Sequence, residues 1–194
     1  MAPAAMLALA ACSAPPGLQG TILDPPLSPT HFALSDQSGQ TTRSEDFRGK
    51  VVVLSFMYTK CPDVCPLLAA KLRQVQQGLG DAASDVAFVV ISVDPENDTP
   101  AAALEFSRRH GMEHGWSYLV GPRDQLAAVW DHYFVESHRP GDDHPLLEHS
   151  SPLYLLDRRG EARVLLTGDK QELDLISADV RNLLRQPWQS RGNQ

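Results

Sequence analysis

Cys61 and Cys65, in Tyr58-Thr-Lys-Cys61-Pro-Asp-Val-Cys65-Pro66, are the residues whose type and spacing can do chemistry. They follow directly on residues 51–57, a run too apolar for a strand with one wet face, so the thiols stand where a strand covered on both sides ends. Pro66 biases Cys65 away from helical angles and suits the first turn of a helix. Cys65 is therefore expected near a helix N-cap, with Cys61 in the loop before it. A helix N-terminus carries about half a positive charge, which favours thiolates, and Lys60 can add to it. The spacing is one residue longer than the Cys-x-x-Cys redox pattern. Helical i, i+4 positions hold their Cβ atoms about 5–6 Å apart, whereas a disulfide wants about 3.5–4.5 Å. Loop geometry can close that difference, so a disulfide and a shared metal both stay open.

Soft sulfur ligands select copper(I), zinc or iron clusters. A structural zinc takes four protein ligands, and the only other cysteine is Cys12, in the N-terminal segment. One histidine added to the two sulfurs gives a trigonal set that suits copper. Of the seven histidines, His31, His110, His114 and His132 are scattered and read as surface or capping residues. His138, His144 and His149 fall in or beside residues 136–150, which show no periodicity; a loop of that length in a compact domain is functional or disordered. His149 stands out because it directly precedes a strand that starts near Pro152 and should lie beside the cysteine strand.

The elements that must position these groups follow from periodicity. Residues 32–35 and 40–42 flank the turn Asp36-Gln-Ser-Gly39, a small N-terminal β-hairpin. Residues 66–79 carry a helical stripe (Leu67, Leu68, Leu72, Val75, Leu79) closed by glycine. Residues 86–93 form a second buried strand. Thr99-Pro100 opens a helix that Gly111 stops, and residues 116–120 and 123–134 add a strand and a helix. Residues 153–156 and 162–167 make a hairpin, and 173–184 a last helix ended by Pro187. This alternation predicts an α/β fold: a central mixed sheet, largely parallel, with helices on both faces and the second hairpin at one edge.

With 194 residues the chain suits one domain with a real core. The net charge of -7 and the lack of a basic stripe argue against nucleic acid as a partner. Residues 1–11 are small, apolar and uncharged, and Leu9-Ala-Ala-Cys12 is similar to the lipobox of bacterial lipoproteins, with Cys12 as the lipidated residue. The expected organisation is a lipoprotein signal over 1–12, a flexible Pro-rich linker over 13–29, one domain over 30–187 and a polar tail over 188–194. Lipidation implies a periplasmic, membrane-tethered protein, and leaves Cys61 and Cys65 as the thiols of the folded part.

Phe56-Met-Tyr-Thr-Lys-Cys61-Pro-Asp-Val-Cys65-Pro resembles the copper motif of the Sco/SenC family. Ser92-Val-Asp94-Pro-Glu-Asn-Asp98-Thr resembles its second block, and Glu148-His149-Ser-Ser-Pro-Leu-Tyr154 its third. Phe32-x-Leu34-x-Asp36-x-x-Gly39 and Gly49-Lys-Val also match, so the likeness runs over about residues 28–187. It implies a thioredoxin-like three-layer sandwich and a copper site made of Cys61, Cys65 and His149. It also implies a role in assembling the dinuclear copper centre of cytochrome c oxidase, as copper donor, thiol reductant or both. The implied partners are the copper-bearing subunit of that oxidase, another periplasmic copper chaperone, and a thiol reductant. Two departures are Glu148, where the family often has Asp, and a lipoprotein signal in place of a transmembrane anchor. Asp63 and Asp94 are expected to fix loops first and to tune copper second.

The expectation is a copper metallochaperone. The rival from enzyme chemistry is a thiol–disulfide reductase in which Cys61 and Cys65 are the redox pair. A further rival is a thiol peroxidase, which needs one activated cysteine only.

Overall fold

A computed structural model describes residues 17–138, 148–167 and 172–187. Its centre is strand β4, Val51–Met57, buried at every position. With no polar face to offer water, such a strand needs cover on both sides. β5 (Val86–Ser92) is buried throughout in the same way and runs parallel to β4, from Val51 opposite Val86 to Met57 opposite Ser92. β6 (Trp116–Leu119) continues the parallel part. On the other side β9 (Leu153–Leu156) lies antiparallel to β4, and β10 (Ala162–Leu166) antiparallel to β9. β1 (Thr21–Leu27) closes that side, antiparallel to β10, so the order is β1-β10-β9-β4-β5-β6.

Two expectations change here. The β9–β10 hairpin is not the sheet's edge, and antiparallel pairs make up its whole half of the sheet. The edge is β1, from a stretch whose prolines read as linker. Those prolines are tolerated because they lie on an edge strand, where its pairing with β10 is irregular between Ile22 and Leu27. Asp179, fully buried in α4 (Leu173–Arg185), then ties down the preceding turn by accepting from the amides of Gln19 and Gly20 at 2.8 and 2.9 Å.

Cover comes from both faces. Val53, Leu155 and Val164 form one register row, and Val164 meets Gly20 beside Asp179, which puts α4 on that face. α1 (Val64–Leu79) packs along α4, where Arg181 donates to the carbonyl of Gly78. Leu68, Leu72, Val75 and Leu79 face inward at helical spacing. Leu67, expected in that stripe, is 65% exposed, a third of a turn out of line. α2 (Pro100–Arg109) starts as read, with Thr99 accepting from the amide of Ala102, and sets Phe106 against Tyr118. On the opposite face α3 (Arg123–His132) ends in Tyr133, whose ring meets Phe56 and Tyr154.

The expected N-terminal hairpin is present as β2 (Ala33–Ser35) and β3 (Thr41–Arg43), with Gly39 at φ 82° in the turn. It hooks onto the far border of the sheet. Ser35 and Val120 exchange backbone hydrogen bonds, and the Gln37 amide bonds the carbonyl of Trp116 and the N–H of Tyr118. The aperiodic loop begins and ends in a two-residue ribbon, β7 (Ser137–His138) against β8 (Glu148–His149), so His149 is held in register with Ser137.

Candidate metal centre

The chain leaves β4 at Tyr58, which is buried, and turns at once. The amide of Cys61 donates to the carbonyl of Tyr58 at 3.2 Å, closing that turn. α1 begins three residues later, so Cys65 lies inside its first turn rather than at the cap. Asp63 occupies the cap position, yet its carboxylate makes no capping bond. Cys61 does that work instead: its sulfur accepts from the amide of Cys65 at 3.3 Å, satisfying one of the unpaired N–H groups of a helix start.

The two thiols consequently differ. A hydrogen bond from the Cys65 thiol, followed by bonds from the backbone of Cys65 and Asp63 and the side chain of Tyr58, draws the pKa of Cys61 down to about 5 against the opposing effect of its partial burial. Cys65 moves strongly upward, because its proton is engaged by Cys61 and because it is buried. At neutral pH the pair holds one proton, carried on Cys65. No disulfide joins them.

Lys60 does not serve the sulfurs: its ammonium bonds Asn97 Oδ1 at 2.5 Å. Asn97 in turn is held by both carboxylate oxygens of buried Asp94, at 3.1 and 2.9 Å, so Asp94 fixes a loop, as read. Asp98, named from sequence only as part of the second motif block, has more partners than Asp94 in the contacts seen around this loop. Its Oδ1 accepts from the amide and hydroxyl of Thr59 at 2.9 and 2.6 Å, and its Oδ2 from the hydroxyls of Ser92 at 2.6 Å and Tyr118 at 3.3 Å. Burial raises its pKa, and the bonds from Ser92 and Thr59 oppose that. The sequence signal was a second Asp in the Ser92–Thr99 block, but its partners come from three separate elements.

His149 approaches from the β7–β8 ribbon. Ser150 N–H donates to the carbonyl of Glu136 and Ser137 Oγ to that of Val93, which anchors the ribbon to the end of β5. The imidazole stands edge-on to Tyr58, ring centroids 5.4 Å apart and planes at 83°. Its Nδ1–H donates to the carbonyl of Ser150 at 2.8 Å, which leaves the lone pair on Nε2. Burial lowers its pKa, while its own bond to Ser150 and the nearby Cys61 charge act the other way. The ring is thus neutral, half-buried and beside the thiol loop. Among the described residues no three His, Cys, Asp or Glu side chains converge closely enough to hold a metal ion as they stand.

The other candidates fall elsewhere. His31 pairs with Glu45 at 2.6 Å, His110 packs its ring at a tilt against Phe106, and His132 meets the carbonyl of Ser28. His144, Cys12 and the side chain of His138 lie outside the described residues. Beside the thiols runs an open apolar cleft lined by Val64, Phe134, Pro152 and Tyr154, with Phe134 75% exposed. Two sulfurs sharing one proton and a neutral imidazole with a fixed tautomer form a soft donor set, and also a dithiol with one nucleophile and one resolving group.

A family model described as SCO1/SenC matches residues 23–185. An SCO2-like protein of Rickettsia felis is 33% identical over 135 residues, covering 67% of this chain and 64% of that protein. The chain therefore matches less than two thirds of that relative's length. The copper-bound structure of ScoI from Bradyrhizobium japonicum superposes with a TM-score of 0.71 at 28% identity, over 80% of this chain and 99% of that one. A SCO1/SenC family lipoprotein from Bacillus anthracis superposes with a TM-score of 0.73 at 26% identity, over 82% and 96%. The architecture is the thioredoxin-like three-layer sandwich of these neighbours.

Proposed function

The chain belongs to the SCO1/SenC family, and from that premise we propose that it is an extracytoplasmic copper metallochaperone that serves assembly of the dinuclear copper centre of cytochrome c oxidase. One copper is carried as cargo between Cys61, Cys65 and His149. The observation that carries this is the imidazole beside the thiol loop, its Nδ1–H given to Ser150 and its lone pair on Nε2. Carbonyl-fixed tautomers of this kind are how proteins prepare a metal-binding histidine. The copper in the similar ScoI structure supports the choice of metal.

Loading uses the unequal thiols. Cys61 offers a thiolate, Cys65 gives up its proton to become the second one, and the imidazole moves from Tyr58 onto the metal. One proton is released per copper bound. Release runs in reverse when thiols of the recipient, the copper-bearing subunit of the oxidase, replace the ligands in turn. Another periplasmic copper chaperone supplies the metal, or a thiol reductant keeps the pair reduced. Cys12 carries the lipid that tethers the domain; the lipoprotein among the similar structures supports this. No described helix is long and apolar enough to cross a membrane.

The test is titration of the reduced protein with copper(II), followed by absorption and metal analysis. The expected outcome is one copper per chain with strong sulfur-to-copper charge-transfer bands, and loss of those bands with at least tenfold weaker binding in His149→Ala. Unchanged binding in that variant removes His149 from the site. A second reading, thiol–disulfide reductase, draws on the same asymmetry of Cys61 and Cys65. It predicts reduction of a target disulfide that is indifferent to His149→Ala.

A further inference from the structure

We propose that Asp98 is the positioning residue of the thiol loop, holding Cys61 and, through Tyr58, His149 in their working places. For the copper ligands this rests on the carrier reading above; for the thiol pair it stands alone. Asp98 is 5% exposed and belongs to the loop between β5 and α2, not to the thiol loop itself. Its carboxylate is nevertheless the anchor of that loop. Oδ1 takes both the amide and the hydroxyl of Thr59, the second residue after β4. Oδ2 is itself fixed by Ser92 at the end of β5 and by Tyr118 in β6, two strands of the central sheet. Thr59 is thereby referenced to the rigid sheet by a four-bond clamp.

What Thr59 anchors is the working part. The preceding residue, Tyr58, supplies the carbonyl that receives the amide of Cys61 and the ring that faces His149. Two residues onward is Cys61, whose sulfur must stay within reach of the Cys65 amide to be held as a thiolate. A hydrogen bond to that sulfur is strongest when the sulfur carries charge, as it does only in the reduced pair. Loosening Thr59 therefore weakens the reduced state and leaves the disulfide favoured. Asp98 hydrogen-bonds Thr59, Ser92 and Tyr118 and not the ligands, so it positions them through Thr59 and Tyr58; its charge also reaches Cys65 across space, an effect that Thr59→Val leaves in place.

The experiment compares wild type, Asp98→Asn, Thr59→Val and Asp157→Asn in glutathione redox buffers, with thermal unfolding recorded for each. Asp157 is the control: a buried carboxylate that also holds a turn, accepting from the amides of Arg159 and Glu161, at the other end of β9 from the thiols. Asp98→Asn and Thr59→Val are expected to shift the dithiol–disulfide equilibrium about tenfold toward the disulfide, and Asp157→Asn to leave it in place despite a comparable loss of stability. Should Asp98→Asn fail to fold, Thr59→Val carries the same test, since it removes only the hydroxyl bond. An equilibrium unmoved in the folded variants, or moved as far by Asp157→Asn, overturns the proposal. Copper binding is the second arm, with about tenfold weaker binding expected in Asp98→Asn. If wild type takes up no copper while the thiol equilibrium shifts as stated, the carrier reading falls and the positioning role stands.

Discussion

A thiol in the first turn of a helix ordinarily gives up its proton more readily, yet Cys65 moves the other way, because its bond to Cys61 and then its burial hold the proton in place. Cys61 collects the benefit from outside the helix, as the acceptor of the Cys65 amide. Reactivity should follow. Iodoacetamide at pH 6 is expected to label Cys61 and spare Cys65, and the Cys61 rate should fall only as pH drops below about 5; peptide mass spectrometry after timed quenching reads both. Equal labelling of the two thiols would contradict the shared-proton arrangement. At this scale the sequence was legible where the chemistry is local. Cys61 and Cys65 lie on one short stretch, and His149 announces itself by standing just before a strand. Asp98 and Tyr58 were not legible, since the meaning of a buried carboxylate or an aromatic edge depends on residues 39 and 91 positions away.

Among the elements, α4 does more than cover the sheet. Asp179 and Asn182 project from it to hold residues 17–20, Asn182 through the carbonyl of Gly17. Asp179→Ala removes two amide-to-carboxylate bonds made by a fully buried side chain, and is expected to cost about 2–3 kcal/mol. Hydrogen exchange of the Gln19 and Gly20 amides should accelerate, with protection in β4 and β5 changed only by the global loss; Asp179→Asn should be intermediate. Most elements were foreseeable because β4 and β5 are apolar but for Ser55 and Ser92, while α1 and α4 keep a 3.6-residue stripe. β1 was not, because Asp24-Pro25-Pro26 has the composition of a linker and only β10 and α4 make it a strand. Leu67 was misassigned because it lies at the margin of the stripe, about 100° around the helix from Leu68, and the pattern alone does not fix on which side the stripe ends.

For the molecule as a whole, the thiol pair couples folding to pH. Between about 5, where folded Cys61 titrates, and about 9, where free thiols do, the unfolded chain binds one proton more than the folded one. Stability of the reduced protein should therefore rise with pH across that window, by at most about 1.4 kcal/mol per pH unit. Below it the contribution is gone, because both states hold two protons. Above it Cys65 keeps a proton that the unfolded chain has lost, and the trend reverses. Thermal unfolding of reduced wild type against Cys61→Ser from pH 5 to 8 checks this, the variant lacking the slope.

The borders of the sheet carry a consequence for neighbouring molecules. A free strand edge is a template on which a second copy can add its own backbone. Here Pro25 and Pro26 remove two amides from β1 and fall where its pairing with β10 is irregular, which blunts one border, and the side chain of Gln37 occupies the bonding groups of Trp116 and Tyr118 on the other. The stretch that looked like mere spacer is thus half of a pair of end-stops, and crowding many such domains onto one surface gives them no ladder along which to polymerise.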